Sequence, residues 1–127
     1  MENAEYIKTA KKISKNAYAP YSGVKVGAIL ISEDGKIFKG CNIENASFGL
    51  TVCAERVALF KALSEGKRKF SKIVIASEGQ DASPCGACRQ TLAEFSPEME
   101  VIWEAKGRIT SKRLSELLPE RFKIENK

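Results

Sequence analysis

Apolar side chains recur at Ala4, Ile7, Ala10, Ile13 and Ala17, with lysines between them. Steps of three and four residues place these positions on one side of a helix, so the pattern predicts a helix over 3–17 with a lysine-rich outer face. Pro20 and Gly23 end it. From Val24 to Ser32 the chain becomes a nearly continuous apolar run, as expected of a buried strand. Glu33-Asp34-Gly35 supplies a turn and Ile37-Phe38 begins a return strand, which together predict a hairpin. Residues 42–50 are rich in Asn, Ser and Gly and predict an ordered loop. A helix follows from about Val52 to Glu65, with Gly66 as its stop. Phe70 to Ser77 predicts a strand around Ile73-Val74-Ile75-Ala76, and residues 78–84 a loop. A second helix opens near Cys85 and runs to about Phe95, with Pro97 beyond it. Val101-Ile102-Trp103 predicts a further strand, Gly107 a turn, and Ile109-Thr110 a short fifth strand. Ser111 is placed to cap a last helix through Leu118, stopped by Pro119. A helix, a strand pair and then alternating helix and strand imply an α/β fold, with a mixed sheet covered by helices on both faces.

A chain of 127 residues accommodates one domain, 1–127, with one hydrophobic core. The longest apolar run, Val26 to Ile31, is far too short to span a bilayer. Met1 to Tyr6 holds no apolar signal core, so a cytoplasmic location and no membrane partner are expected. The formal net charge is +5. Acidic residues are interspersed among the basic ones, and only Lys67-Arg68-Lys69 forms a tight cluster, in a predicted loop. This reads as solvated faces rather than a nucleic-acid groove, and no nucleic-acid partner is expected.

Composition therefore leaves the chemistry to the four cysteines, Cys41, Cys53, Cys85 and Cys88. In a reducing compartment they favour metal or catalytic roles over disulfides. Cys85 and Cys88 are three apart, so at helical spacing both sulfurs can face one point. Cys53 and Glu55 are two apart and diverge inside a helix, so they share a site only off a helix N-terminus. Both motifs stand at predicted helix starts. There, free N–H groups and the helix dipole favour thiolate, the metal-binding form. Three thiolates on Zn²⁺ carry a net charge of −1, and Arg56 and Arg89 are the cations next to the motifs. Three protein ligands with an open position make a catalytic zinc site, whereas four make a closed structural one. Two other readings stand beside the catalytic one. One is a structural zinc held by all four cysteines, in which Glu55 has no purpose. The other is four buried apolar cysteines, for which Pro84-Cys85-Gly86-Ala87-Cys88 is a poor core segment.

Cys53-x-Glu55 followed by Pro84-Cys85-x-x-Cys88 is the signature of the zinc deaminases. Ala19-Pro20-Tyr21-Ser22, Val26-Gly27-Ala28, the run Gly40 to Gly49, Ser64-Glu65-Gly66 and Leu117-Leu118-Pro119 extend the likeness over nearly the whole chain. On these residues the chain resembles the small, single-domain cytidine deaminases. The resemblance implies a three-layer α/β/α sandwich with a mixed five-stranded sheet. It implies one Zn²⁺ per chain on Cys53, Cys85 and Cys88, with Glu55 as proton shuttle and Arg56 hydrogen-bonded to a thiolate. By the same resemblance, Asn42 and Glu44 hold the ribose of a nucleoside substrate at its 3′-hydroxyl. Val24 occupies the position of a base-packing Phe, and Phe48 stands where Tyr is common. Phe122 matches an aromatic that reaches a neighbour's base in a homotetramer with shared active sites. The implied reaction is hydrolytic deamination of cytidine and deoxycytidine to uridine and deoxyuridine, a step of pyrimidine salvage. The alternatives are a deaminase of a modified cytosine nucleoside or nucleoside antibiotic, suggested by Val24; a polynucleotide-editing deaminase, which wants a basic, aromatic groove; and a non-catalytic zinc-stabilised binding module.

One carboxylate that acts first as base and then as acid needs no histidine, and the chain has none.

Overall fold

The computed structural model describes residues 2–124. Its elements are α1 (Asn3–Ser14), β1 (Gly27–Ser32), β2 (Ile37–Cys41), a 3-10 turn (Phe48–Leu50), α2 (Ala54–Ser64), β3 (Phe70–Ala76), α3 (Gly86–Ala93), β4 (Glu100–Ala105), β5 (Arg108–Arg113) and α4 (Leu114–Leu117). The five strands form one sheet in the order β2-β1-β3-β4-β5. The β3–β4 pair is parallel and the others are antiparallel, so the sheet is mixed.

Side chains alternate across the central strands, and the two faces feed separate cores. Ile29, Ile31, Val74, Ala76 and Ile102 pack against Ile7 and Ala10 of α1. Leu30, Ile73, Ile75, Val101 and Trp103 face the other way, against α2, α3 and Leu114. The three layers are therefore α1, the sheet, and the remaining helices. All of β1 is buried because both its faces are covered, which explains its continuous apolar sequence. Burying one large side chain such as Ile73 or Ile75 contributes about 2–3 kcal/mol relative to leaving it exposed.

Two glycines set how closely the layers approach. A Cβ on Gly27 would lie 1.9 Å from the Ala10 carbonyl oxygen of α1. On the opposite face, a Cβ on Gly40 would lie 2.6 Å from both the Ala54 oxygen and the Ala58 nitrogen of α2. Gly40 thus seats the first turns of α2 directly on β2.

Gly27 pairs with both Cys41 and Ala76, so the C-terminal ends of β2 and β3 lie together. The chain leaves that end of the sheet twice, once into the loop before α2 and once into the loop before α3. Both helix N-termini consequently come to one edge.

Several boundaries differ from the sequence expectation, each for a local reason. The strand expected from Val24 begins at Gly27, because the Val24 carbonyl and Val26 N–H are bonded to the Asn42 side chain instead of a strand neighbour. The helix expected from Val52 begins at Ala54, because Val52 pairs with Ile43. Helix α1 ends at Ser14 rather than Ala17, and tighter turns carry residues 15–17. Ser111 caps no helix. It lies within β5 and its hydroxyl donates to the Glu100 carboxylate at 2.5 Å. The short α4 is instead closed by Glu116, whose carboxylate accepts from the Arg113 N–H at 2.9 Å.

Candidate active site

Cys53 is the N-cap of α2 and Cys85 the N-cap of α3. Extended backbone at each cap turns the thiol toward the helix entrance, and the Cys85 sulfur accepts the Cys88 N–H at 3.4 Å. Cys88 lies one turn further along α3 and is buried. The three sulfurs lie within 4.8 Å of one another, with Cys53 and Cys85 3.9 Å apart. That is nearly twice a disulfide bond length, and all four cysteines are free. Two thiolates on one tetrahedral zinc, each about 2.3 Å from the ion, are about 3.8 Å apart. The donor set and its spacing therefore fit zinc. Cys41, half-buried at the end of β2, is not in the sulfur group, so a four-cysteine closed site does not form among the described residues.

Three sulfurs this close cannot all ionise without a cation. The thiol of Cys88 and then the guanidinium of Arg56 draw Cys53 down to about 5. Cys88 is pushed far up, first by its bond to Cys53 and then by burial. A metal ion that takes the place of the protons resolves this conflict. Arg56 donates from a terminal nitrogen to the Cys53 sulfur at 3.6 Å, while its Nε is buried with no partner among the described residues. Arg89 is turned elsewhere: it donates to the carbonyls of Pro84 and Leu117, at 2.9 and 3.0 Å, and so braces the approach to α3 against α4. Of the two cations next to the motifs, only Arg56 bonds a thiol.

Glu55 sits at the second position of α2 and is 4 % exposed. Burial raises its carboxyl to about 7, and the charge on Cys53 adds to the rise. An acid of that strength is poised to exchange protons at neutral pH.

A cavity of about 360 Å³ opens beside these groups, a volume suited to a small ligand. Its wall includes Val24, Asn42, Glu44, Cys53, Glu55 and Cys85. Loop 77–85 adds Asp81, Ala82 and Ser83, and the segment before β1 adds Ser22. Sequence reasoning singled out none of these four. Ser22 carried a signal, since it lies in the Pro-Tyr-Ser segment of the resemblance.

Asn42 and Glu44 are tied to the segment opposite them. The Asn42 side chain accepts from the Val26 N–H at 2.7 Å and donates to the Val24 carbonyl at 2.8 Å. The Glu44 carboxylate accepts from Tyr21 N, Ser22 N and the Ser22 hydroxyl, and its pKa is lowered chiefly by that hydroxyl. Asn45 caps its own loop, accepting from Ser47 N at 2.9 Å. Phe122 is outside the cavity wall. It is exposed, and its backbone exchanges two hydrogen bonds with the Gln90 side chain.

Residues 1–104 match the family described as the cytidine and deoxycytidylate deaminase zinc-binding region. A cytidine deaminase of Halalkalibacterium halodurans is 46% identical over 129 residues, spanning 99% of this chain and 98% of that protein. The crystal structure of a cytidine deaminase from Burkholderia pseudomallei superposes with a TM-score of 0.89 at 46% identity, covering 96% of this chain and 100% of that one. A more distant relative, a blasticidin-S deaminase of Bacillus cereus, is 32% identical over 106 residues, 76% of each chain.

Proposed function

This chain belongs to the cytidine and deoxycytidylate deaminase family, and from that premise we propose that it converts cytidine and deoxycytidine to uridine and deoxyuridine with release of ammonia. The observation that carries the proposal is the convergence of a buried carboxyl, Glu55, with Cys53 and Cys85 at one cavity wall, and with Cys88 buried behind them within 4.8 Å of both sulfurs. The whole chain serves as one catalytic domain, and Cys53, Cys85 and Cys88 hold the metal. Zinc, when bound there, supplies an acidified water molecule.

Glu55 accepts a proton from the attacking water and passes it to N3 of the pyrimidine, which makes C4 electrophilic. The water oxygen adds to C4. Glu55 then carries the second water proton to the 4-amino group, which leaves as ammonia while C4 becomes a carbonyl. One carboxyl buried at the cavity wall suits both transfers. Arg56 and the two helix N-termini offset the excess negative charge of three thiolates. Asn42 and Glu44 hold the ribose, Val24 lines the base, and their effect is orientation, which lowers the barrier without chemistry of their own.

An exposed apolar groove supports a homotetramer. Leu50 and Phe60 are exposed, and with Ile43, Val52 and Val57 they line an apolar groove of about 440 Å³ that also includes Glu44. Covering it by another copy fits a homotetramer in which the exposed Phe122 reaches a neighbour's site. Among the described residues no helix is long and apolar enough to cross a membrane. We place the enzyme in cytoplasmic pyrimidine salvage on the strength of its family.

A second reading, a deaminase of a modified cytosine nucleoside or nucleoside antibiotic, draws on the blasticidin-S deaminase relative and on Val24, whose small side chain leaves space at the cavity wall. A panel of cytosine nucleosides separates the two. The shuttle itself is tested by Glu55→Gln. It keeps fold and zinc and loses about 10³-fold or more in kcat; retained turnover removes Glu55 from the mechanism.

A further inference from the structure

A carboxylate can read a sugar hydroxyl only through a lone pair that faces the cavity. Glu44 has about four acceptor positions, two on each oxygen. Oε1 takes the N–H groups of Tyr21 at 2.9 Å and Ser22 at 3.1 Å, and is full. Oε2 takes the Ser22 hydroxyl. One acceptor position therefore remains, and it is on Oε2.

The Ser22 hydroxyl has a single proton, and an ionised carboxylate only accepts, so the proton goes to Glu44. The same Ser22 oxygen accepts the Val24 N–H at 3.0 Å. A serine accepting from a residue two further on is an ordinary local turn and implies only loop stability. The donated bond is different, because it reaches across 22 residues to a carboxylate at the cavity wall. Ser22, Val24 and Glu44 all line that cavity.

We infer that Ser22 is a positioning residue for sugar recognition: its hydroxyl holds Glu44 Oε2 so that the one free acceptor position meets a single ribose hydroxyl. The inference rests on the reading of Glu44 as the sugar carboxylate.

The test compares cytidine with 3′-deoxycytidine as substrates of the zinc-loaded enzyme, for wild type, Ser22→Ala and Ser22→Thr. Loss of a hydrogen bond to a charged group corresponds to about a tenfold rise in KM for cytidine in Ser22→Ala. KM and kcat for 3′-deoxycytidine, which lacks the hydroxyl in question, stay near their wild-type values, as does zinc content. Threonine restores the cytidine KM, because it keeps the hydroxyl. If Ser22→Ala does not fold, Ser22→Cys makes the same comparison with a weak donor of similar size. A parallel rise in both KM values, or no rise in either, overturns the role of Ser22. A wild-type enzyme that handles the two nucleosides equally overturns the reading of Glu44 itself, and the inference with it.

Discussion

Replacing Gly40 by alanine adds one methyl group at the contact between β2 and α2. The new Cβ would meet the Ala54 oxygen and Ala58 nitrogen at 2.6 Å and the Ala58 Cα at 3.1 Å. All three are backbone atoms, so no rotamer change relieves the contact. To go from 2.6 Å to an ordinary 3.4 Å, the start of α2 must recede by about 0.8 Å. Ala54 lies between Cys53 and Glu55, so that displacement shifts both side chains relative to Cys85 and Cys88 on α3. Overpacking of this kind costs about 2 kcal/mol, with a range of about 1–3. For a chain of this length that corresponds to a fall in Tm of roughly 5–10 °C. A misplacement near 1 Å costs up to about 10²-fold in rate.

Gly27→Ala is the control. Its Cβ would meet α1 at 1.9 Å, on the face of the sheet away from the sulfurs. It should lower Tm at least as much and leave kcat per folded molecule within about twofold, since no active-site element packs there. The assays are thermal melting followed by circular dichroism, zinc per chain, and kcat on cytidine below the melting range. Loss of kcat in Gly40→Ala beyond that in Gly27→Ala supports the seating of α2. Wild-type melting and kcat in Gly40→Ala, or equal kcat losses in both variants, would refute it.

In the metal-stripped protein, Glu55 should make stability depend on pH. Its carboxyl is raised from 4.5 to about 7 in the fold. The folded chain therefore holds a proton that the unfolded chain has released, and this group lowers stability progressively as pH rises from about 4.5 to 7, with no effect below that window and a constant penalty above it. Melting of the chelated protein at pH 5 and pH 7.5 should show a larger drop for wild type than for Glu55→Gln; equal drops would assign the dependence elsewhere. Cys41→Ser should keep one zinc per chain by atomic emission, because Cys41 is outside the sulfur group; loss of zinc would bring back the closed site.

The placement of the two cysteine motifs was legible because each is local. Cys53 with Glu55, and Cys85 with Cys88, gain their geometry from a helix start within a few residues. The mixed sheet and its two-sided cover followed from the alternation of elements. Harder to read were features set by distant partners. Asn42 removes Val24 and Val26 from the expected strand across a separation of 16–18 residues, and no local pattern announces that. Strand β5 is longer than Ile109-Thr110 because it is an edge strand whose pairing with β4 extends through polar, exposed residues. Arg89 looked equivalent to Arg56 along the chain, yet α4, which no spacing argument could place, supplies the carbonyl that takes it. The role of Ser22 depends on the count of lone pairs at Glu44, which only the folded loop reveals.

The central claim is most directly tested by following the ultraviolet spectrum of cytidine mixed with the purified protein, with zinc measured on the same preparation. The account predicts one zinc per chain and complete conversion to uridine, lost on chelation and restored by added Zn²⁺. One zinc per chain with no change in cytidine or deoxycytidine would contradict it.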